Sequence, residues 1–125
     1  FDAAFEGVDR AYVLVPGGTV HPREMALPVV EAAIARKVKV VLQSVFGADA
    51  DDSIPYRQLE IVLETSGTPY VFLRPNWFTD NFLSFWKPGI DHSGAIAVPA
   101  GQGKTSFIDA RDIAASAAAA AATAP

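Results

Sequence analysis

The sequence predicts an α/β fold built on a parallel, doubly wound sheet, and three observations lead to this expectation. Three short runs rich in apolar residues occur at positions 11–15, 38–45 and 70–74. None of them alternates polar with apolar residues, which is the pattern of strands covered on both faces. Segments with a helical spacing of apolar residues separate the runs, and strands that alternate with helices usually form a parallel sheet.

The amino-terminal region predicts the first strand and the first long helix. Residues 3–7 have the pattern of a last helical turn closed by glycine, and the strand that follows ends at residues 16–18. Residues 21–37 carry apolar side chains at helical spacing, with Pro22 suited to a first turn. Pro28 is expected to kink this helix or to start a fresh turn.

A second helix is expected to start near Ser53 and to stop at Gly67. Pro55 suits its first turn, and Leu59 and Leu63 share its apolar face. The third predicted strand follows directly, so the order of elements is strand, helix, strand, helix, strand.

The region after the third strand is expected to be less regular. Residues 77–86 are predicted to form a short aromatic helix, and short extended pieces are predicted at 95–98 and 106–108. A final helix is expected to open at Asp109, whose carboxylate suits the N-cap position. Its alanine-rich stretch is too short and too weakly apolar to span a bilayer, so no membrane partner is expected.

Composition argues against several classes of function. The chain has 10 Lys and Arg against 14 Asp and Glu, and no basic run that could follow a phosphate backbone, so nucleic acid is not an expected partner. Cysteine is absent, which excludes disulfides, thiolate ligands and a cysteine nucleophile. His21 and His92 lack ligand spacing, so no metal site is expected. A cytosolic setting is the default expectation.

Two glycine-containing segments suggest phosphate binding but depart from the motifs that perform it. Residues 101–105 end like a P-loop, yet that motif needs a glycine five residues before Gly103, where Val98 stands. Gly17 and Gly18 lack the spaced third glycine of a dinucleotide fingerprint. We therefore expect both segments to be turns.

Several short motifs occur in an order that points to a known family. They are Gly7-Val8-Asp9, the segment from Val38 to Ala48, Leu73-Arg74-Pro75 followed by Phe78, Asp80-Asn81-Phe82, and Phe107 to Ala114. In this order the chain resembles the NmrA-like family of atypical short-chain dehydrogenases, which includes quinone reductases and redox-sensing regulators. The resemblance extends over nearly all of the sequence.

The resemblance implies a partial Rossmann-type domain. Residues 1–125 would be a single domain fragment of three main parallel strands plus helices, with a small substrate-side segment at 76–108. The amino-terminal βαβ half, whose glycine-rich turn binds the pyrophosphate, has no counterpart in these residues. A parent protein would use NADP or NAD, whereas the chain as given is expected to bind either one weakly or not at all.

The resemblance also implies a site made of residues that follow the strands. Pro16, Ser44, Val45 and Phe46 would line the cofactor crevice, and Pro75, Asn76 and Trp77 would face the nicotinamide and the substrate. Ligands of open α/β sheets bind beyond the carboxyl ends of the strands. Trp77 and Phe78, just past the third strand, are therefore predicted to form an apolar lid over a flat small-molecule substrate.

Three polar residues near this site have structural alternatives. Ser44 could simply bond a neighbouring backbone group. Tyr56 stands where a short-chain dehydrogenase could place its catalytic tyrosine, but Glu60 replaces the lysine expected four residues later. A carboxylate there disfavours a phenolate, so a tyrosine–lysine mechanism is not expected and Tyr56 could be a helix-face aromatic. Arg74 is expected to hold loop carbonyls rather than a phosphate.

These patterns favour one function and leave an alternative open. The favoured function of the parent protein is that of an NAD(P)H-dependent oxidoreductase which transfers hydride to a quinone or a similar planar electrophile. The alternative is a non-catalytic NAD(P)-sensing regulator. A sugar-nucleotide epimerase is less favoured, because such enzymes depend on the missing tyrosine–lysine pair.

Strand order predicts an exposed sheet edge and hence a partner. In a doubly wound sheet of order 3-2-1-4-5-6, the strands kept in this chain would be the adjacent trio 4-5-6. The strand at 11–15 would then lack a neighbour and carry a row of unpaired backbone groups. We expect residues 12–14 to pair with a second copy of the chain or with the missing half of the domain.

Overall fold

The computed structural model of the chain describes residues 1–98 and 101–123, and it has an α/β architecture. The main elements are β1 (Arg10–Val13), α1 (Pro22–Ala35), β2 (Lys39–Gln43), α2 (Pro55–Glu64) and β3 (Tyr70–Leu73). The three strands form one parallel sheet with helices against it, which confirms the predicted fold class and agrees with part of a Rossmann-like domain.

The sheet has the order β1-β2-β3, so the three strands are adjacent as predicted. Val41 at the centre of β2 is in register with Tyr12 on one side and Val71 on the other. Within the described residues no further strand pairs with β1. β1 is therefore an edge strand, and its outer row of backbone groups has no strand partner in this part of the chain.

The core lies on both faces of β2, the central strand. Val40 and Leu42 pack in one cluster with Val30 of α1 and with Leu59 and Leu63 of α2. Val41 points to the opposite face, because successive side chains of a strand alternate, and the last helix covers that face. Burial on both faces explains why the sequence of β2 shows no alternation.

The last helix, α4 (Ala110–Ala122), is fixed at both ends. Asp109 is its N-cap and accepts a hydrogen bond from the backbone N–H of Arg111 at 2.8 Å, which confirms the predicted helix start. At the other end, Lys39 Nζ donates to the carbonyl of Thr123 and Arg10 Nη1 donates to that of Ala121, both at 2.8 Å. Cations at this end also suit the helix dipole.

The aromatic segment 77–86 is not a helix, and that expectation was wrong. Trp77–Phe78 is a short strand, β4, which pairs in parallel with β5 (Phe107–Ile108), and a 3-10 turn follows at Thr79–Phe82. Aromatic residues favour extended backbone, and the β5 strand supplies the pairing that they need. The helix of this region, α3 (Lys87–Ser93), starts later, with a proline in its first turn.

Smaller differences concern the bounds and the interior of predicted elements. Residues 95–98 form no strand, and Ile54 rather than Ser53 precedes α2. Pro28 lies inside α1 without ending it. The helical hydrogen bond lost there would use the carbonyl of Glu24, an exposed residue whose carbonyl water can reach.

The described residues contain neither a membrane-spanning helix nor a cluster of metal ligands. Across residues 1–98 and 101–123, no helix has both the length and the apolar character needed to cross a bilayer. The same residues contain no cluster of three or more His, Asp or Glu side chains placed to hold a metal ion.

Candidate functional site

A cleft of about 630 Å³ lies at the carboxyl ends of the three parallel strands. This is the edge of an open α/β sheet where ligands bind. Eight of the predicted site residues line it: Ser44, Val45, Phe46, Tyr56, Pro75, Asn76, Trp77 and Phe78. The fold therefore brings the segments after β2 and β3 together with the first turn of α2 on one concave surface.

Residues after the end of β1 form a further wall of the cleft, and most of them were not predicted from the sequence. Pro16 was expected to line the crevice, but the lining residues are its neighbours Val15 and Gly17. The carbonyl of Pro16 instead accepts hydrogen bonds from the N–H and hydroxyl of Thr19. The other lining residues that were not predicted are Leu14, Gln43 and Asn81. Applying the carboxyl-end rule to every residue after each strand would have found most of them.

Backbone hydrogen bonds hold two walls of the cleft together beyond the regular sheet. The N–H of Ser44 donates to the carbonyl of Leu73 at 2.8 Å, and the N–H of Phe46 donates to that of Pro75 at 3.0 Å. Gly47 then turns the chain with a φ of +78°, which residues with a Cβ rarely adopt. These contacts place the Phe46 side chain at the mouth of the cleft, where it is exposed.

Ser44 contributes a buried polar atom to the floor of the cleft. The residue is only 2% exposed, and its Oγ has no hydrogen-bond partner within ordinary distance. Its hydroxyl is one of the groups that lower the pKa of Glu60, but no short contact joins the two side chains. The alternative that the Ser44 hydroxyl simply bonds a neighbouring backbone group is therefore not observed. An unpaired buried hydroxyl is costly, which makes Ser44 Oγ a candidate ligand atom.

Tyr56 lies in the first turn of α2 and faces the cleft. Burial raises the pKa of its phenol above the ordinary value. Glu60, one turn later, is fully buried and cannot play the part of the absent lysine. Tyr56 is therefore a neutral phenol at pH 7, as the sequence predicted, and can act as a hydrogen-bond donor.

Glu60 is held by two arginines behind the cleft. Arg74 binds it through two hydrogen bonds, Nε to Oε1 at 2.9 Å and Nη2 to Oε2 at 2.8 Å, and Arg57 Nη1 adds a contact of 3.2 Å. Burial alone would raise the pKa of Glu60. The hydrogen bonds from Arg74 and Arg57, the nearby Ser44 hydroxyl and the charge of Arg74 outweigh it and lower the pKa below its usual value.

Arg74 also binds Asp49 through Nη1 at 2.8 Å. It is thus structural, as expected, but the groups it holds in the described residues are carboxylates rather than loop carbonyls. The reason is that Glu60 and Asp49 both lie close to the end of β3, where two carboxylates outcompete neutral oxygens for a guanidinium.

An aromatic cluster forms the outer wall of the cleft. Trp86, which is buried, contacts Trp77 and Phe82 with ring centroids 5.1 and 5.2 Å apart. Trp77 itself is 43% exposed and lines the cleft with Phe78. The cluster therefore combines packing at Trp86 with a free aromatic surface at Trp77.

Asn76 is fixed by contacts on both sides of its amide. Its Oδ1 accepts a hydrogen bond from the N–H of Trp77 at 2.9 Å, and its Nδ2 donates to Ser106 Oγ at 3.2 Å. The described residues that line the cleft carry no charged side chain. Amides, a hydroxyl, a phenol and aromatic rings in this arrangement suit a flat, uncharged ring.

Comparison with known proteins adds evidence of a different kind. No protein-family model matches the sequence. Over 122 residues, the chain is 35% identical to the (4-alkanoyl-5-oxo-2,5-dihydrofuran-3-yl)methyl phosphate reductase of Streptomyces griseus, a match that covers 95% of the chain and 43% of that protein. It is 31% identical over 117 residues to the NAD(P)H azoreductase of Xenophilus azovorans, covering 90% and 41%. The chain is a relative of reductases.

A third relative has a name of another kind. The Prestalk A differentiation protein A of Dictyostelium discoideum is 34% identical over 115 residues, covering 90% of the chain and 37% of that protein. The chain spans about two-fifths of the length of the curated relatives it matches. The chain therefore aligns with a portion of each of these longer proteins.

Proposed function

We propose that the protein to which these residues belong is an NAD(P)H-dependent oxidoreductase of NmrA-like, quinone-reductase type. It transfers hydride to a quinone or a similar planar electrophile. The observation that carries the proposal is the uncharged cleft at the strand ends, with aromatic side chains and fixed amides in its walls. Relatives named as a reductase and as an NAD(P)H azoreductase support the same type of chemistry.

The residues of the cleft fit the nicotinamide end of NAD or NADP, which would supply the hydride when bound. Ser44 Oγ needs a partner, and Asn76 keeps one N–H of its amide free of the bond to Ser106, so both suit a carboxamide. Phe46, Val45 and Pro75 offer apolar contact to the ring. The pyrophosphate end has no such fit, because no cation lines the cleft in the described residues.

Tyr56 is the candidate hydrogen-bond and proton donor of this site. Reduction of a quinone by hydride also requires a proton from water, and this proton must reach an oxygen of the acceptor. A phenol that burial keeps neutral can donate to that oxygen and be reprotonated from solvent. In this role Tyr56 does not need the lysine that a phenolate would require.

Trp77 and Phe78 provide the surface against which a planar acceptor packs. Aromatic rings prefer offset or edge contacts with one another, worth about 0.5–1.5 kcal/mol beyond the area they bury. Trp77 is already supported from behind by Trp86, so its exposed face is held in place before an acceptor arrives. Such preorganisation lowers the entropic cost of binding.

The test is NADPH consumption by the full-length protein with a panel of quinones, followed by absorbance. We expect turnover, and we expect Trp77→Ala to raise KM for the quinone about fivefold through the lost stacking. Phe85→Ala is the matched control, since Phe85 belongs to the same aromatic region but does not line the cleft. Absence of turnover with every acceptor would exclude the proposed activity.

A second candidate function is a non-catalytic NAD(P)-sensing regulator. It is favoured by the relative named for differentiation rather than for a reaction, and by the lack of a tyrosine–lysine pair. A sensor binds the cofactor without consuming it. Calorimetric binding of NADPH to the full-length protein, combined with no turnover on any acceptor, would favour this candidate over the oxidoreductase.

A further inference from the structure

Arg74 joins three separate elements behind the cleft, and we propose that it is a positioning residue that sets the spacing of the cleft walls. It follows β3 directly, binds Glu60 on α2, and binds Asp49 in the 3-10 turn Ala48–Ala50. Lining residues of the cleft lie next to each contact: Pro75 directly after Arg74, Tyr56 on α2, and Phe46 just before the 3-10 turn. The expected effect of Arg74 on acceptor binding rests on the proposed function, whereas its expected effect on the loop after β2 does not.

The buried Arg74–Glu60 pair, which we call the inner arm, is rigid. Glu60 is fully buried and meets Arg74 through two parallel hydrogen bonds of 2.9 and 2.8 Å, the geometry in which a guanidinium best fits a carboxylate. This arm fixes the guanidinium relative to α2, and hence relative to Tyr56 one turn earlier. The inner arm therefore supplies a fixed point from which the loop after β2 can be held.

The exposed Arg74–Asp49 pair, which we call the outer arm, can change its geometry more easily. Asp49 Oδ2 lies 2.8 Å from Arg74 Nη1, and the two side chains are 59% and 30% exposed. Between Asp49 and the end of β2 lies Phe46, whose N–H bonds to the carbonyl of Pro75. Together with this backbone bond, the outer arm joins the Phe46 loop to the segment after β3.

Loss of the outer arm should therefore loosen one wall of the cleft while leaving the core intact. The hydrogen bond from the N–H of Phe46 to the carbonyl of Pro75 would break more often, and the planar acceptor would lose an ordered contact on that side. Chemistry would continue once the acceptor is bound, because Tyr56 and Ser44 keep their places. The expected signature is a change in KM for the acceptor without a change in kcat.

Asp49→Asn tests the arm, and Asp52→Asn is its matched control. Asp52 is a second exposed aspartate of the same loop, but it pairs with Arg57 at 3.2 Å instead of Arg74. We would measure hydrogen–deuterium exchange of a peptide covering residues 45–50 in the full-length protein. Asp49→Asn should speed exchange about threefold, the ratio that an exposed ion pair of ordinary strength gives, and Asp52→Asn should not. Asp49→Glu should restore slow exchange.

The kinetic measurement uses the same variants with NADPH and a quinone. Asp49→Asn should raise KM for the quinone about threefold with kcat unchanged, while Asp52→Asn behaves as the wild type. Equal exchange in both variants would overturn the positioning role, and so would faster exchange with an unchanged KM in an active protein. Faster exchange in a protein that turns over no acceptor would support the positioning of the loop and exclude the proposed activity.

Discussion

Removing either side of the Glu60–Arg74 pair should destabilise the fold by different amounts. Breaking a buried ion pair costs about 3–5 kcal/mol when a charge is left buried without its partner. Arg74→Ala does this, because the Glu60 carboxylate, which is fully buried in the wild type, keeps only the 3.2 Å contact to Arg57. We expect a loss of about 3 kcal/mol, the low end of that range, because Arg57 remains.

Glu60→Gln should cost less, about 2 kcal/mol, since it removes the charge but keeps the shape. Both arginines keep another carboxylate partner, Asp49 for Arg74 and Glu64 for Arg57, and both are partly exposed, so water can also solvate their guanidinium groups. The order of the two losses, Arg74→Ala greater than Glu60→Gln, is thus set by which charge remains buried.

Urea unfolding at pH 7, followed by the fluorescence of Trp77 and Trp86, measures both losses. The slope of the transition should stay constant, and Asp52→Asn should change the free energy of unfolding by less than about 0.5 kcal/mol. If Glu60→Gln were as mild as this control, or cost more than Arg74→Ala, the assignment of the buried charge would be wrong.

The same pair predicts a pH dependence of stability. The hydrogen bonds to Glu60 lower its pKa below the ordinary 4.5, so the stability it contributes is fully present above that value. It is lost as the pH falls through the lower folded-state pKa. The difference in unfolding free energy between wild type and Glu60→Gln should therefore shrink in acid, and a constant difference from pH 7 to below pH 3 would contradict the low pKa.

Three further predictions concern the cofactor, the sheet edge and the last helix. The 125-residue chain should bind NAD(P) weakly or not at all, and micromolar affinity in calorimetry would show that the site is misplaced. Tyr12 on the edge strand and Leu14 just after it, 41% and 50% exposed, should be covered by a second copy or by the rest of the domain. Leu14→Lys should then reduce association in sedimentation, and a monomeric wild-type protein whose edge amides exchange freely would refute this. Asp109→Ala should destabilise α4 in thermal unfolding while Asp109→Asn, which keeps the cap, should not; equal melting temperatures would argue against the cap. The pKa of Asp109 is lowered to about 2 by Arg111, so the part of this advantage that depends on the charge should be full above the ordinary value of 3.8 and be lost as the pH falls through about 2.

The sheet and the place of the site were predictable for a physical reason. The strand at residues 39–43 is buried on both faces, and this burial produces the unbroken apolar run in its sequence. Parallel strands end at one edge, so Ser44 and Asn76 meet there although 32 positions separate them. Local pattern plus one rule of topology was sufficient.

Other features depend on contacts that no local pattern contains. The sequence showed that Glu60 replaces the lysine of a tyrosine–lysine pair, but it did not show what binds Glu60. Its partner Arg74 lies 14 residues after it, and Asp49, which Arg74 also binds, lies 11 residues before it. The strand at Trp77–Phe78 was mistaken for helix because its partner, Phe107–Ile108, comes 30 residues later. Ion pairs and two-residue strands are stabilised by tertiary neighbours, and only the folded chain shows which neighbours those are.

The central claim is that the cleft at the strand ends serves hydride transfer to a planar acceptor. The most direct measurement is the rate of NADPH oxidation by the full-length protein with a quinone, compared between wild type, Trp77→Ala and Phe85→Ala. Turnover by the wild type, with a raised KM for the quinone in Trp77→Ala alone, is the predicted result. Turnover that is equally sensitive to both substitutions, or no turnover at all, would contradict the claim.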